Sequence, residues 1–121
     1  MSREIEFRAW RKKQKGMRYN IHSSKYFNEF IGFTNDYEVM QYIGIKDKNG
    51  VKIFEGDIVK FDNNVYGTTE TFKVVWSNDY CEFLLSSFRY GKRYLEKSRE
   101  KFIEVIGNIY ENPELLGDKN D

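Results

Sequence analysis

Few side chains in this sequence have the type and spacing that chemistry requires. Glu55 and Asp57 flank Gly56 and form a candidate carboxylate pair. Catalysis by two carboxylates needs environments that push their pKa values apart. A Glu-Gly-Asp turn at the surface offers neither burial nor contrast, so the pair reads as turn chemistry, with Asp57 accepting backbone N–H bonds. His22 and Cys81 are the sole histidine and cysteine. A zinc site takes three or four ligands, mostly His and Cys, and no spacing of Asp or Glu completes one. Cys81 alternates with Phe83 and Leu85 and reads as a small core residue, not as a nucleophile with His22 as its base. Asp47-Lys48-Asn49-Gly50 has the look of a calcium loop, but its Gly comes too early and no bidentate Glu follows at the right distance. Gly44, Gly50 and Gly56 do not open a helix after a strand, as a phosphate loop must. The sequence therefore predicts no enzyme, no metal and no cofactor.

The remaining candidates are basic stretches interleaved with aromatics. Trp10 precedes Arg11, Lys12 and Lys13; Arg89, Lys92 and Arg93 lie with Tyr94 in a second stretch. Cations track phosphates and aromatic rings stack on bases, so these eight residues are the candidate nucleic-acid-binding set. The competing reading makes them solvated loops, or complements to the acidic segment between Phe27 and Asp62 on another copy of the chain. Overall charge does not decide: 20 Lys and Arg face 19 Asp and Glu, so no bulk attraction to a polyanion is expected.

The elements that position these residues are strands. Phe and Tyr are abundant and Ala9 is the one alanine, a bias toward β structure. Glu4–Trp10 alternates, with Ile5, Phe7 and Ala9 on the buried side and Arg8 on the other. Met17–His22 alternates after a polar connection ending at Gly16, which together make a β-hairpin. Ser23 or Ser24 can cap a short helix through Tyr26, Phe27 and Phe30, ended by Gly32 and Asn35-Asp36; an irregular loop fits nearly as well. Val39–Ile45 is a strand in which Gly44 marks a bulge or a close backbone approach. Asn49-Gly50 predicts a hairpin with a type I′ turn, returning through Val51–Phe54. Ile58–Phe61 follows, then a polar loop from Asp62 to Gly67. Phe72, Val74 and Trp76 line one face of the next strand, and Cys81, Phe83 and Leu85 one face of the strand after it. Val75 and Leu84 make these strands apolar on both faces, so both faces need cover, from the N-terminal hairpin or another subunit. Ser86–Lys101 is rich in Arg, Lys and Tyr; Tyr94–Phe102 can be helical, and loop and helix fit equally. Asn112-Pro113-Glu114 reads as a helical turn, and Gly117–Asp121 as a tail.

Three blocks in order carry a resemblance: Arg3 through Trp10, Met40 through Val59, and Glu104-Val105-Ile106-Gly107-Asn108-Ile109-Tyr110-Glu111-Asn112-Pro113-Glu114-Leu115. Together they resemble the YopX family of phage and prophage proteins. Arg11 stands where that pattern commonly has an acidic residue, so the basic run Arg11–Lys15 is peculiar to this chain. The resemblance implies a mainly β fold, a bacterial cytoplasmic protein encoded by a phage or prophage, and self-association. It implies no known activity and no functional residues.

The expected architecture is a mainly β domain over the whole chain: a bent sheet or SH3-like partial barrel with an N-terminal β-hairpin and little helix. Residues 1–38 form the hairpin and connection, 39–116 the barrel-like core and 117–121 the tail. The expected function is binding, as a homo-oligomer, with nucleic-acid binding as the alternative. A small-molecule ligand is not evident, and no apolar run approaches the length that spans a membrane.

Overall fold

The computed structural model describes residues 3–25, 27–32, 35–63 and 68–117. The fold is mainly β, with two antiparallel sheets, one of them a curled half-barrel, and little helix. The chain divides into two compact units, residues 1–44 and 45–121.

In the first unit β1 (Phe7–Arg11) lies between β2 (Gly16–Arg18) and β3 (Tyr37–Lys46), both antiparallel to it. The N-terminal hairpin is thus as the sequence implies, with Trp10 opposite Met17 and Arg11 opposite Gly16. Its turn closes through the Lys15 N–H donating to the Arg11 carbonyl, 2.7 Å, with Lys15 at φ 54°. The expected alternation is not kept. Ile5 precedes the strand and is exposed, whereas Arg8, placed on the solvent side by its charge, is buried beside Ala9. A central strand is covered on both faces, and the aliphatic stem of an arginine packs there as a hydrophobe; the Arg8 guanidinium carbon lies 5.9 Å from the Tyr19 ring centre. A 3-10 turn at Ile21–Ser23 buries Ile21. The short helix α1 (Phe27–Ile31) follows and closes with the Gly32 N–H on the Asn28 carbonyl, 2.9 Å. Phe7 packs on Phe27 and Phe30 on Tyr37. The predicted helical position Tyr26 lies outside the described residues.

The second unit begins at the end of β3, which turns back into β4 (Lys52–Phe54). The hairpin is as predicted, but its turn is not type I′. Only Gly50 has positive φ; Asn49 does not. Gly50 N–H donates to the Asp47 carbonyl, 3.0 Å, and the Asp47 Oδ1 accepts the N–H groups of Asn49 and Val51 at 2.8 and 2.9 Å. A carboxylate bonding the backbone ahead of it holds a type I geometry, which displaces the two-residue I′ loop. Gly44 has φ +99°, and the space where a side chain would stand is open, so it serves a backbone conformation and not a close approach.

A five-stranded sheet follows: β5 (Asp57–Asn63), β6 (Thr68–Ser77), β7 (Glu82–Ser87), β8 (Gly91–Tyr94) and β9 (Ile103–Asn108), in spatial order β8-β7-β6-β5-β9. Ile58 pairs with Gly107 but Val59 with Val105, leaving Ile106 as an extra residue in β9. Such a bulge bends a sheet. Val59, Phe72, Val74, Leu85 and Ile103 fill one face and are buried, while Ile58 and Leu84 are buried on the other. Leu84 and Leu85 are therefore both covered within one chain. Trp76, predicted to line the same face as Phe72 and Val74, is exposed at the strand end. Residues 64–67 of the predicted polar loop and 118–121 of the predicted tail lie outside the described residues. Pro113–Leu116 forms the expected turn as a 3-10 helix, with Pro113 in its first turn; the Asn112 side chain does not cap it.

Candidate nucleic-acid interface

The eight candidate residues fall in two places. In the first unit, Trp10 and Arg11 are consecutive in β1, so their side chains leave opposite faces of the sheet. Trp10 shares its face with Met17 and Glu38, and Arg11 shares the other with Tyr37. Lys12 and Lys13 sit in the turn. The Lys12 Nζ lies 3.0 Å from Glu38, and the Lys13 Nζ 3.9 Å from Asp36. Adjacency in sequence thus does not produce a stacked ring beside free cations here. These pairs are exposed and individually weak, ~0.2–1 kcal/mol, but they neutralise the loop locally.

The second place is the β7–β8 hairpin. Arg89 lies in its turn with its guanidinium carbon 5.6 Å from the Tyr90 ring centre. Lys92, Arg93 and Tyr94 belong to β8, every residue of which is exposed. The stretch Tyr94–Phe102, read as loop or helix, contains a 3-10 helix at Lys97–Phe102, whereas Gly91–Tyr94 is a strand paired with β7 that neither reading describes. Lys92 and Tyr94 pair with Ser86 and Leu84 and share one face; Arg93 pairs with Leu85 and takes the other. Among the described residues no carboxylate lies within ion-pair distance of Lys92 or Arg93, in contrast to Lys12 and Lys13. Tyr94 packs edge-on against Tyr80, 6.1 Å between ring centres, and Trp76 against Phe83, 5.0 Å.

The residues first weighed for catalysis have local structural partners. The Asp57 Oδ2 accepts the Phe54 N–H at 2.8 Å, the backbone bonding expected of it, but Asp57 is 2% exposed and the turn is not the solvent-facing one predicted. The His22 Nδ1 accepts the Phe7 N–H, 3.1 Å. Cys81 is not a core residue. It is exposed, occupies the last position of the Asn78–Cys81 turn at φ 54°, and precedes β7. The alternation Cys81, Phe83, Leu85 continued one residue past the true strand end. Among the described residues no group of three His, Cys, Asp or Glu side chains is placed to hold a metal.

The three sequence blocks that resemble a family meet in this second unit in part. The Asp47 Oδ2 accepts the Val105 N–H at 2.9 Å, Gly56 accepts the Ile109 N–H at 2.9 Å, and Asp57 pairs with Asn108. The Asn108 Oδ1 accepts the N–H groups of Tyr110 and Glu111 at 3.0 and 2.9 Å. The sequence pattern of the YopX protein family matches residues 6–117. The chain belongs to the YopX family. Among solved structures it is similar to protein EF1440 of Enterococcus faecalis, at 27% identity over 95% of this chain and 99% of that one, TM-score 0.68. It is also similar to YopX of Bacillus subtilis, at 19% identity over 92% and 97% of the two chains, TM-score 0.61. No protein with a curated description matches. The second and third blocks thus meet through bonds between turn residues and β9 or Ile109 just beyond it. Sequence reasoning missed Asp47 in this role, because its partner Val105 is 58 residues away. It also missed β8 as a strand. Among the described residues no helix is long and apolar enough to cross a membrane, which says nothing of β-barrels.

Proposed function

We propose that this chain acts by binding and not by catalysis, as a phage or prophage accessory protein of the bacterial cytoplasm that associates with copies of itself. The observation that carries this reading is the set of exposed aromatics at one end of the β6–β7–β8 ribbon: Trp76, Tyr80 and Tyr94 are 44, 58 and 60% exposed. Large rings left in water favour burial against a partner, and aromatics are concentrated at interface cores. A non-catalytic role is supported by Asp47, Asp57 and His22, each engaged with backbone N–H groups. Light scattering coupled to size-exclusion chromatography tests self-association. The expected mass is a multiple of 14.6 kDa, falling toward one chain in a Trp76→Ser/Tyr94→Ser variant of unchanged circular dichroism. A single-chain mass at every concentration overturns the reading.

A second reading, nucleic-acid binding, is favoured by Lys92 and Arg93, which are exposed and have no carboxylate partner among the described residues. Titration of labelled oligodeoxythymidine at several salt concentrations decides it. Phosphate contacts make log K fall linearly with log salt, and the absence of salt-dependent binding removes this reading.

A further inference from the structure

The two edges of the five-stranded sheet are finished differently. At β9 the hairpin of residues 47–50 closes the edge. The Lys48 N–H donates to the Ile103 carbonyl at 2.9 Å, the Val105 N–H donates to Asp47 at 2.9 Å, and the Lys48 Nζ stands 3.6 Å from Glu104. β8, at the other end of the strand order, has no such cover among the described residues, and its four residues are all exposed. An uncovered edge strand is a template for another strand.

We propose that β8 receives an extended acidic segment of a partner protein as an added strand. Charge decides the occupant. Lys92 and Arg93 are cations without carboxylate partners among the described residues, whereas Lys12, Lys13, Lys48 and Arg99 each have one. Being consecutive in a strand, Lys92 and Arg93 point to opposite faces of the sheet. A nucleic acid lying on either face meets one of them. A strand added at the edge alternates its own side chains in the same way, so acidic residues at neighbouring positions reach both. A second copy is a poor occupant, because antiparallel pairing of β8 with itself sets Lys92 and Arg93 against the same two cations, and like charges directly opposite destabilise a sheet. Main-chain bonds to the edge supply affinity in such complexes and the alternating side chains supply selectivity. This goes beyond the self-association reading and does not depend on it.

The test uses the full-length isotope-labelled protein and four probes: an octapeptide Val-Thr-Glu-Asp-Val-Glu-Asp-Thr, whose adjacent acids fall on both faces of an added strand, the same peptide N-methylated at every other residue in each of the two phases, and dodecathymidylate. The octapeptide is expected to shift the amide signals of Gly91–Tyr94. Binding is expected to weaken by about tenfold or more in a Lys92→Glu/Arg93→Glu variant. One methylated phase is expected to bind about tenfold less well, because it alone loses the edge bonds. Unmoved β8 amides at millimolar peptide overturn the proposal. So does equal binding by both methylated phases, which marks simple charge attraction, or tighter binding of dodecathymidylate. Intermolecular nuclear Overhauser contacts between β8 backbones of two copies, in a mixed labelled and unlabelled sample without peptide, put a second copy on the edge and also overturn it.

Discussion

Asp47 is the residue whose replacement reads the architecture most directly. Its side chain is 5% exposed and accepts three backbone N–H groups, two in its own hairpin and one, from Val105, in β9. Asn49 and Val51 are exposed, so in Asp47→Ala water replaces the carboxylate at their N–H groups, at a loss of ~0.5 kcal/mol each. Val105 is half-buried, and its N–H, left without an acceptor, costs about 1–3 kcal/mol. The sum is about 2–4 kcal/mol. With a urea m-value of ~1.5 kcal/mol/M the unfolding midpoint falls by roughly 1–3 M. Asp47→Asn keeps one carbonyl oxygen and places an N–H donor at the other position. It can serve the hairpin or Val105 but not both, and should cost about half as much. Urea unfolding followed by circular dichroism gives the ranking, and native-state hydrogen exchange gives the location. The Val105 amide should exchange more than tenfold faster in Asp47→Ala, beyond the change in global stability. An alanine variant that loses less than ~0.5 kcal/mol, or an unchanged Val105 amide, refutes the assigned bridge.

Two further substitutions test close approach and turn geometry. A Cβ added at Gly107 would stand 2.6–2.8 Å from the Asn112 side-chain atoms, including its Cβ. Gly107→Ala should therefore destabilise by about 2–3 kcal/mol, seen as a lower thermal midpoint, with partial recovery in Gly107→Ala/Asn112→Gly; no recovery removes the steric explanation. Cys81 is exposed at φ 54°. Its thiol should react with a disulfide reagent in the native protein, and Cys81→Gly should be neutral or up to ~1 kcal/mol stabilising because glycine relieves the left-handed conformation. A thiol that reacts only on unfolding would restore the core placement.

The turns were the legible part of the sequence, because turn residues act locally. The Lys12–Gly16 connection, the hairpin at Asn49-Gly50, the Asp57 turn and the Pro113 turn lie where their residue types put them. What escaped were properties set at a distance. The type I geometry at Asp47 follows from a carboxylate held between a hairpin and β9, a constraint that the Asn-Gly pair does not reveal. β8 carries no apolar alternation because it buries nothing; pairing with β7 defines it. Cys81 continued the phase of Phe83 and Leu85, and a period cannot mark where a strand gives way to a turn. The same limit applies to the candidate site. Trp10 beside Arg11, or Lys92 beside Arg93, looks like one patch in a sequence, yet strand alternation sends each pair to opposite faces.

Hydrogen bonding separates the residues committed to this fold from those whose exchange leaves it intact. Asp47, Gly56, Asp57, Asn108 and Asn112 bond backbone or side-chain groups within the fold. A ligand that displaced them would have to compensate for broken turns, so these residues specify a scaffold. Lys92 and Arg93 have no such commitment to a carboxylate, and the strand that carries them presents its outer edge to solvent. Recognition that differs between members of one fold is most easily placed on groups whose exchange leaves the fold intact. By that criterion the β7–β8 hairpin, outside all three resembling blocks, is the proposed place of partner selection.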